Sequence, residues 1–167
     1  MKLKIIHILA FFFLIQIGTA QESLNEILKK YNKNTIPYIS VTELKMRQSK
    51  KEVIILDSRE FNEYQVSHIE DAISVGYDLF LMEPIFETIK NKETSIVVYC
   101  SLGIRSEMIA AKLKKAGYTD VKNLYGGIFE WKNKQYKVID STQQYTNNIH
   151  IFSKEWSQWL LNGNPIY

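Results

Sequence analysis

The chain has 167 residues, with 21 basic and 18 acidic side chains and a net charge of +3. Charges so nearly balanced and so scattered give no reason to expect a nucleic-acid or membrane-surface partner. The length suits one domain with its own core rather than two, and the single cysteine, Cys100, excludes an internal disulfide.

Lys2 and Lys4 precede an apolar run, Ile5 to Ile17, interrupted only by His7 and Gln16. Gly18-Thr19-Ala20 then supplies small residues before Gln21. That order predicts a cleaved signal over 1–20, and so an exported, periplasmic protein with no stable membrane association after cleavage. The run is shorter than the roughly 17 to 25 residues of a spanning helix, which weighs against the alternative of an uncleaved anchor.

Glu22 to Tyr31 reads as a short amphipathic helix with Leu24, Ile27, Leu28 and Tyr31 on one side. Ser40-Val41-Thr42-Glu43 is a capping-box pattern that opens a second helix to about Gln48. Val53 to Leu56 is a β-branched run ending at Asp57, the pattern of a strand buried on both faces. A short helix is expected over Glu60 to Gln65 and a strand over Ala72 to Val75. Asp78 to Lys90 predicts a helix with Leu79, Met82, Phe86 and Ile89 inward, which Pro84 can split.

Ser95 to Tyr99 is the clearest strand, and Cys100 closes it. A helix follows over Ile104 to Ala116, with Met108, Ile109, Ala111 and Leu113 available for packing and Gly117 as its terminal glycine. Val121 to Leu124 predicts another strand, Gly126-Gly127 a turn, and Ile128 to Trp131 a small helix. Tyr136 to Ile151 reads as irregular. A last helix, capped by Ser153, is expected through Leu161, with Trp156, Trp159 and Leu160 packing. Strands alternating with helices predict an α/β fold, a mostly parallel central sheet with helices on both faces. Ligands of such sheets bind at the carboxyl ends of strands, where Asp57 and Cys100 both stand.

A thiol becomes a good nucleophile on ionising, and helix N-termini and nearby cations favour that. Here a strand delivers Cys100 to a helix start through a short loop containing Gly103. Such a loop can turn its N–H groups inward as an anion-binding nest. The helix terminus, Arg105, and the hydroxyls of Ser101 and Ser106 add to the same preference. Taken locally, a buried structural cysteine beside a solvated arginine is the other reading.

Val97 to Ser106 closely resembles the active-site segment of rhodanese-like domains, an apolar strand followed by Cys-x-x-Gly-x-Arg-Ser. Leu56-Asp57-Ser58-Arg59 with Glu63-Tyr64 resembles a second motif of that family. His68-Ile69 with Ala72-Ile73 resembles a third, and Leu124-Tyr125-Gly126-Gly127 with Trp131 a fourth, in the family's order. Ser67 and Asp71 stand where the family usually has glycine. The resemblance covers about Ile39 to Lys132. It implies a rhodanese-like domain over 39–137 and says little outside it, where the residue pattern adds a helical extension over 21–38 and a tail over 138–167 whose terminal helix packs on the domain.

The resemblance also implies a sulfurtransferase. A persulfide on the catalytic Cys100 would carry sulfur from a donor such as thiosulfate to a thiol or cyanide acceptor. A protein acceptor is a further candidate partner. Ser101, Leu102, Gly103, Ile104, Arg105 and Ser106 are the expected persulfide-stabilising or substrate-binding residues. Arg59 is a candidate for contact with an anionic substrate, or else a surface ion-pair partner of Glu60 or Glu63. Asp57 and His68 are expected to be structural near the site. Ser101, Leu102, Gly103 and Ile104 separate Cys100 from Arg105, one residue fewer than in the fold's phosphatase relatives, which favours sulfur over phosphate. No cofactor is implied, and no ligand spacing connects His7, His68 and His150 for a metal. Leu102 and Ile104 leave Arg105 as the only loop cation, so a sulfur-carrier or redox-sensing binding module with little thiosulfate turnover is the alternative function.

Overall fold

The computed structural model describes residues 23–167. The signal expected over 1–20 lies outside them. Among the described residues no helix is long and apolar enough to cross a membrane.

The first elements are α1 (Leu24–Tyr31), β1 (Tyr38–Ile39), α2 (Val41–Ser49) and β2 (Ile54–Asp57). Ser23 caps α1 in a reciprocal box with Glu26, and the Ser40 hydroxyl accepts the Glu43 N–H at the start of α2. Then come α3 (Phe61–Val66), β3 (Ile73–Ser74), α4 (Glu83–Thr88), β4 (Ile96–Tyr99), α5 (Arg105–Lys115), β5 (Val121–Leu124) and α6 (Gly127–Asn133). Five strands form one parallel sheet in the order β1-β5-β4-β2-β3. β4 is central and buried along its whole length.

Side chains of a strand alternate between faces, so β4 feeds two cores. Val97 and Tyr99 pack with Ile55, with Val41 and Leu44 of α2, and with Ile128, Phe129 and Trp131 of α6. Ile96 and Val98 pack with Leu56, with Ile85 and Ile89, and with Ile109, Ala110 and Leu113 of α5. Helices therefore cover both faces, the mostly parallel α/β architecture that the pattern of strands and helices implied.

Several expectations need correction. The helix over 78–90 shrinks to α4, because Pro84 lies in its first turn, where a proline's missing N–H is no loss. Leu79, expected inward, is 86% exposed, and Phe86 is exposed as well. Likewise, 136–151 is not irregular. β6 (Val138–Ile139) pairs antiparallel with β7 (Tyr145–Thr146), and β8 (Asn148–His150) pairs parallel with β9 (Asn164–Ile166). Between β8 and β9, Lys154–Trp159 is a 3-10 helix rather than an α-helix, and the Ser153 side chain does not cap it. Met108 is exposed, and Ala110 takes the buried place on α5. The tail is nevertheless part of the fold. Ile149 and Ile151 are buried in the same core as Val97, and Trp156, Trp159 and Leu160 pack against it.

The sheet is cross-tied where β2 and β4 end. Asp57 lies in register with Tyr99, whose hydroxyl donates to Asp57 Oδ2 at 2.6 Å and accepts the Ile69 N–H at 3.1 Å. Burial, then the Asp57 charge, pushes the Tyr99 phenol well above its usual range, so it remains a donor. Tyr99→Phe would leave the buried Ile69 N–H without its acceptor and remove a donor from Asp57. It is expected to lower the unfolding free energy by about 2 kcal/mol in urea titrations, with the transition still two-state.

Candidate active site

β4 carries Cys100 to the carboxyl edge of the sheet, and α5 begins at Arg105. The residues between form a tight cradle around Cys100, which is 2% exposed. The Gly103 N–H donates to Cys100 Sγ at 3.1 Å. The Ser106 hydroxyl lies 3.5 Å from the sulfur and 2.7 Å from Asn123 Oδ1. It has one proton for these two acceptors, and the shorter contact takes it until the sulfur is charged.

Other elements hold the cradle in shape. Asn123 of β5 and Asn32, just after α1, each donate a side-chain N–H to the Gly103 carbonyl at 2.8 Å. Gly103 has φ +109, and a Cβ there would press on the Leu124 carbonyl oxygen at 3.2 Å. On the far side, N–H groups of Ile128 and Phe129 in α6 take the carbonyls of Cys100 and Ser101 at 2.9 and 3.2 Å. With those carbonyls drawn into α6, the loop's N–H groups are left for the sulfur. Gly127 makes this approach possible, because a Cβ there would collide with both carbonyls.

Burial pushes the Cys100 thiol up. The Arg105 charge and the hydrogen bonds from Ser106 and Gly103 outweigh it and hold the thiol below its ordinary range. Arg105 exerts its effect through space, since its guanidinium is clamped elsewhere. Nη1 and Nη2 donate to the two Glu63 carboxylate oxygens at 2.6 and 2.8 Å, and Nη2 also donates to Ser101 Oγ at 3.1 Å. Burial pushes the Glu63 carboxyl up, but the bonds and charge of Arg105, with help from Arg59, hold it below the usual range.

Not every expected site residue reaches the sulfur. Gly103 and Ser106 do, whereas Ser101 reaches towards Glu63 and Leu102 packs in the core, both also lining the cavity beside Cys100. Ile104 and Arg105 line the pocket mouth together with Phe152 and Trp156 of the tail, around a cavity of about 110 Å3. Arg59 neither meets the cavity nor pairs at the surface. It is completely buried, forks onto Asp57 at 2.6 to 3.1 Å and donates to the Ser67 carbonyl at 2.6 Å. A substrate anion cannot displace that contact without opening the core. Asp57 accepts from Arg59 and Tyr99. His68 stacks on Tyr64 at 3.7 Å, its Nδ1 lies 3.0 Å from the Tyr64 carbonyl oxygen, and its backbone bridges to Ile139.

Sequence reasoning missed Glu63, Asn123, Phe152 and Trp156 as site residues. Glu63 was visible as a motif position, but its partner stands 42 residues away. Phe152 and Trp156 offered only aromatic character.

The rhodanese-like domain family matches residues 40–134. A tRNA uridine(34) hydroxylase from Leptospira interrogans is 34% identical over 104 residues, 60% of this chain and 28% of that protein. Its Escherichia coli counterpart is 31% identical over 104 residues, 60% of this chain and 30% of that protein. The chain thus spans less than a third of these curated relatives. Among solved structures, a thiosulfate sulfurtransferase from Pseudomonas aeruginosa has a TM-score of 0.59 and 25% identity, covering 75% of this chain and 23% of its own. A Bacillus halodurans protein has a TM-score of 0.57 and 26% identity, covering 71% and 88%.

Glu63→Gln would leave the Arg105 guanidinium without its counter-charge. It is expected to cost about 3 kcal/mol of stability at neutral pH. Because the folded Glu63 pKa is depressed, the wild type holds this contribution above the unfolded carboxyl pKa and loses it as pH falls through the folded one. Unfolding curves of the two proteins, measured down a pH series, are expected to converge in acid.

Proposed function

The chain belongs to the rhodanese-like domain family, and from that membership we propose that it is a sulfurtransferase whose Cys100 carries sulfur as a persulfide. The observation that carries the reading is the Cys100 cradle, a buried sulfur that receives the Gly103 N–H at 3.1 Å and lies beside Ser106 at a helix start. Those groups favour a sulfur anion over a neutral thiol.

In the first half-reaction the Cys100 thiolate attacks the outer sulfur of a sulfane donor. The Sγ–S bond forms, the donor's S–S bond breaks, and the electron pair leaves with the remainder of the donor (sulfite, if the donor is thiosulfate). The Gly103 and Ser106 N–H groups stabilise the persulfide anion. In the second half-reaction a thiolate or cyanide attacks the outer sulfur, and Cys100 departs as thiolate. Arg105, fixed by Glu63, supplies positive potential and holds the loop. His68 is not assigned as a base, because the cradle itself favours the thiolate and burial keeps the imidazole below its ordinary range.

The similarity to a thiosulfate sulfurtransferase supports this class of chemistry, while the thiosulfate donor itself is a finer proposal. The tRNA hydroxylase relatives are matched over less than a third of their length, and their reaction is not carried to this chain. Export to the periplasm, proposed from residues 1–20, would put the acceptor there. A second reading, a sulfur carrier or redox sensor with little thiosulfate turnover, is favoured by the engagement of Arg105 with Glu63.

Intact-mass spectrometry after treatment with sulfane donors tests the proposal. A gain of one sulfur, reversed by cyanide and absent in Cys100→Ser, is expected. An unmodified Cys100 with every donor would overturn it.

A further inference from the structure

The C-terminal tail roofs the sulfur. Phe152 and Trp156 line the small cavity at Cys100 together with Leu102 and Ile104. Arg105 is the only cation among the residues lining that cavity. Both its ion-paired nitrogens are taken by Glu63, and the Phe152 ring covers it at 4.7 Å. Burial holds His150, near Glu63 at 3.8 Å, below its ordinary range, and its Nδ1 accepts the Phe152 N–H.

A dianion entering this cavity must shed water with no unpaired cation to replace it. An organic hydropersulfide carries at most one charge and can enter in its protonated form, so it meets a smaller barrier, and its carbon chain gains apolar contact. The roof also carries a backbone oddity. Phe152 has φ +62, a conformation costly for an aromatic residue. Its N–H donates to His150 Nδ1 at 3.1 Å, and its ring meets Trp156 edge-on at 6.3 Å. Strain kept at the mouth of a site points to a role for the ring there.

Resting on the sulfur-transfer reading, we propose that Phe152, Trp156, Leu102 and Ile104 are specificity residues that make the Cys100 pocket prefer small organic hydropersulfides, entering as R–S–SH, to the inorganic thiosulfate dianion. The donor R–S–SH is attacked at its outer sulfur by the Cys100 thiolate. The new Sγ–S bond forms and the donor's S–S bond breaks, with its electron pair passing to RS. That group takes the outer sulfur's proton and leaves as RSH, so Cys100 remains as the persulfide anion and no external oxidant or reductant is required.

The test measures rate constants for sulfur loading of Cys100 by quenched-flow intact-mass spectrometry, using the full chain, propyl hydropersulfide and thiosulfate. Ile104→Lys adds a second cation at the mouth. Phe152→Gly removes the ring and relieves the positive φ. Each is expected to raise the ratio of thiosulfate to hydropersulfide loading by about tenfold over wild type. Because Ile104 is partly exposed, its variant serves even if the Phe152 variant is poorly folded. An unchanged ratio in Ile104→Lys, or wild type loading as fast with thiosulfate as with the hydropersulfide, overturns the specificity proposal and leaves sulfur transfer standing. Loading by neither donor overturns sulfur transfer itself.

Discussion

A sulfur anion shut away from water has to be stabilised by the protein that encloses it. Cys100 is 2% exposed, so bulk solvent contributes little to its ionisation. The compensation is built from backbone geometry first. Gly103 presents its N–H to the sulfur because its own carbonyl is held by Asn32 and Asn123, and because the carbonyls of Cys100 and Ser101 are drawn into α6. The parallel sheet places β4 between β2 and β5, so every group that shapes the cradle arrives from a neighbouring element.

Two ion pairs supplied partly by one segment divide the supporting work. Asp57 and Arg59, at the end of β2, are wholly buried and lock β2 to β4 through Tyr99. Glu63, four residues beyond Arg59 on α3, reaches across to Arg105. The first pair is inaccessible to any ligand. The second leaves positive potential near Cys100 while both terminal nitrogens of the guanidinium are held by Glu63. That division explains how one chain can hold two arginines near a site while offering an apolar mouth.

Legibility in the sequence followed the range of the interactions. β2 and β4 were readable because strands buried on both faces are written as continuous apolar runs. The Cys100 loop was readable because its strand, glycine and helix start are contiguous. The extent of α4 was misjudged because Leu79, Met82 and Phe86 have helical spacing while Pro84 marks the true beginning. The short ladders of the tail have too few residues to show a period. Arg59 looked like a surface or substrate residue because sequence carries no sign of burial for a charged side chain. Only the fold shows Asp57, Tyr99 and Ser67 surrounding it. Phe152 was invisible as a site residue because its importance lies in where the tail returns.

The central claim is that the fold stabilises a buried thiolate at Cys100. Titration of the thiolate by its ultraviolet absorbance, with Cys100→Ser as the blank, tests it most directly. The account predicts half-ionisation below the value of about 8.5 for an ordinary cysteine, in line with the lowering by Arg105, Ser106 and Gly103. A midpoint at or above that value would mean that burial prevails over the cradle, and would contradict the account.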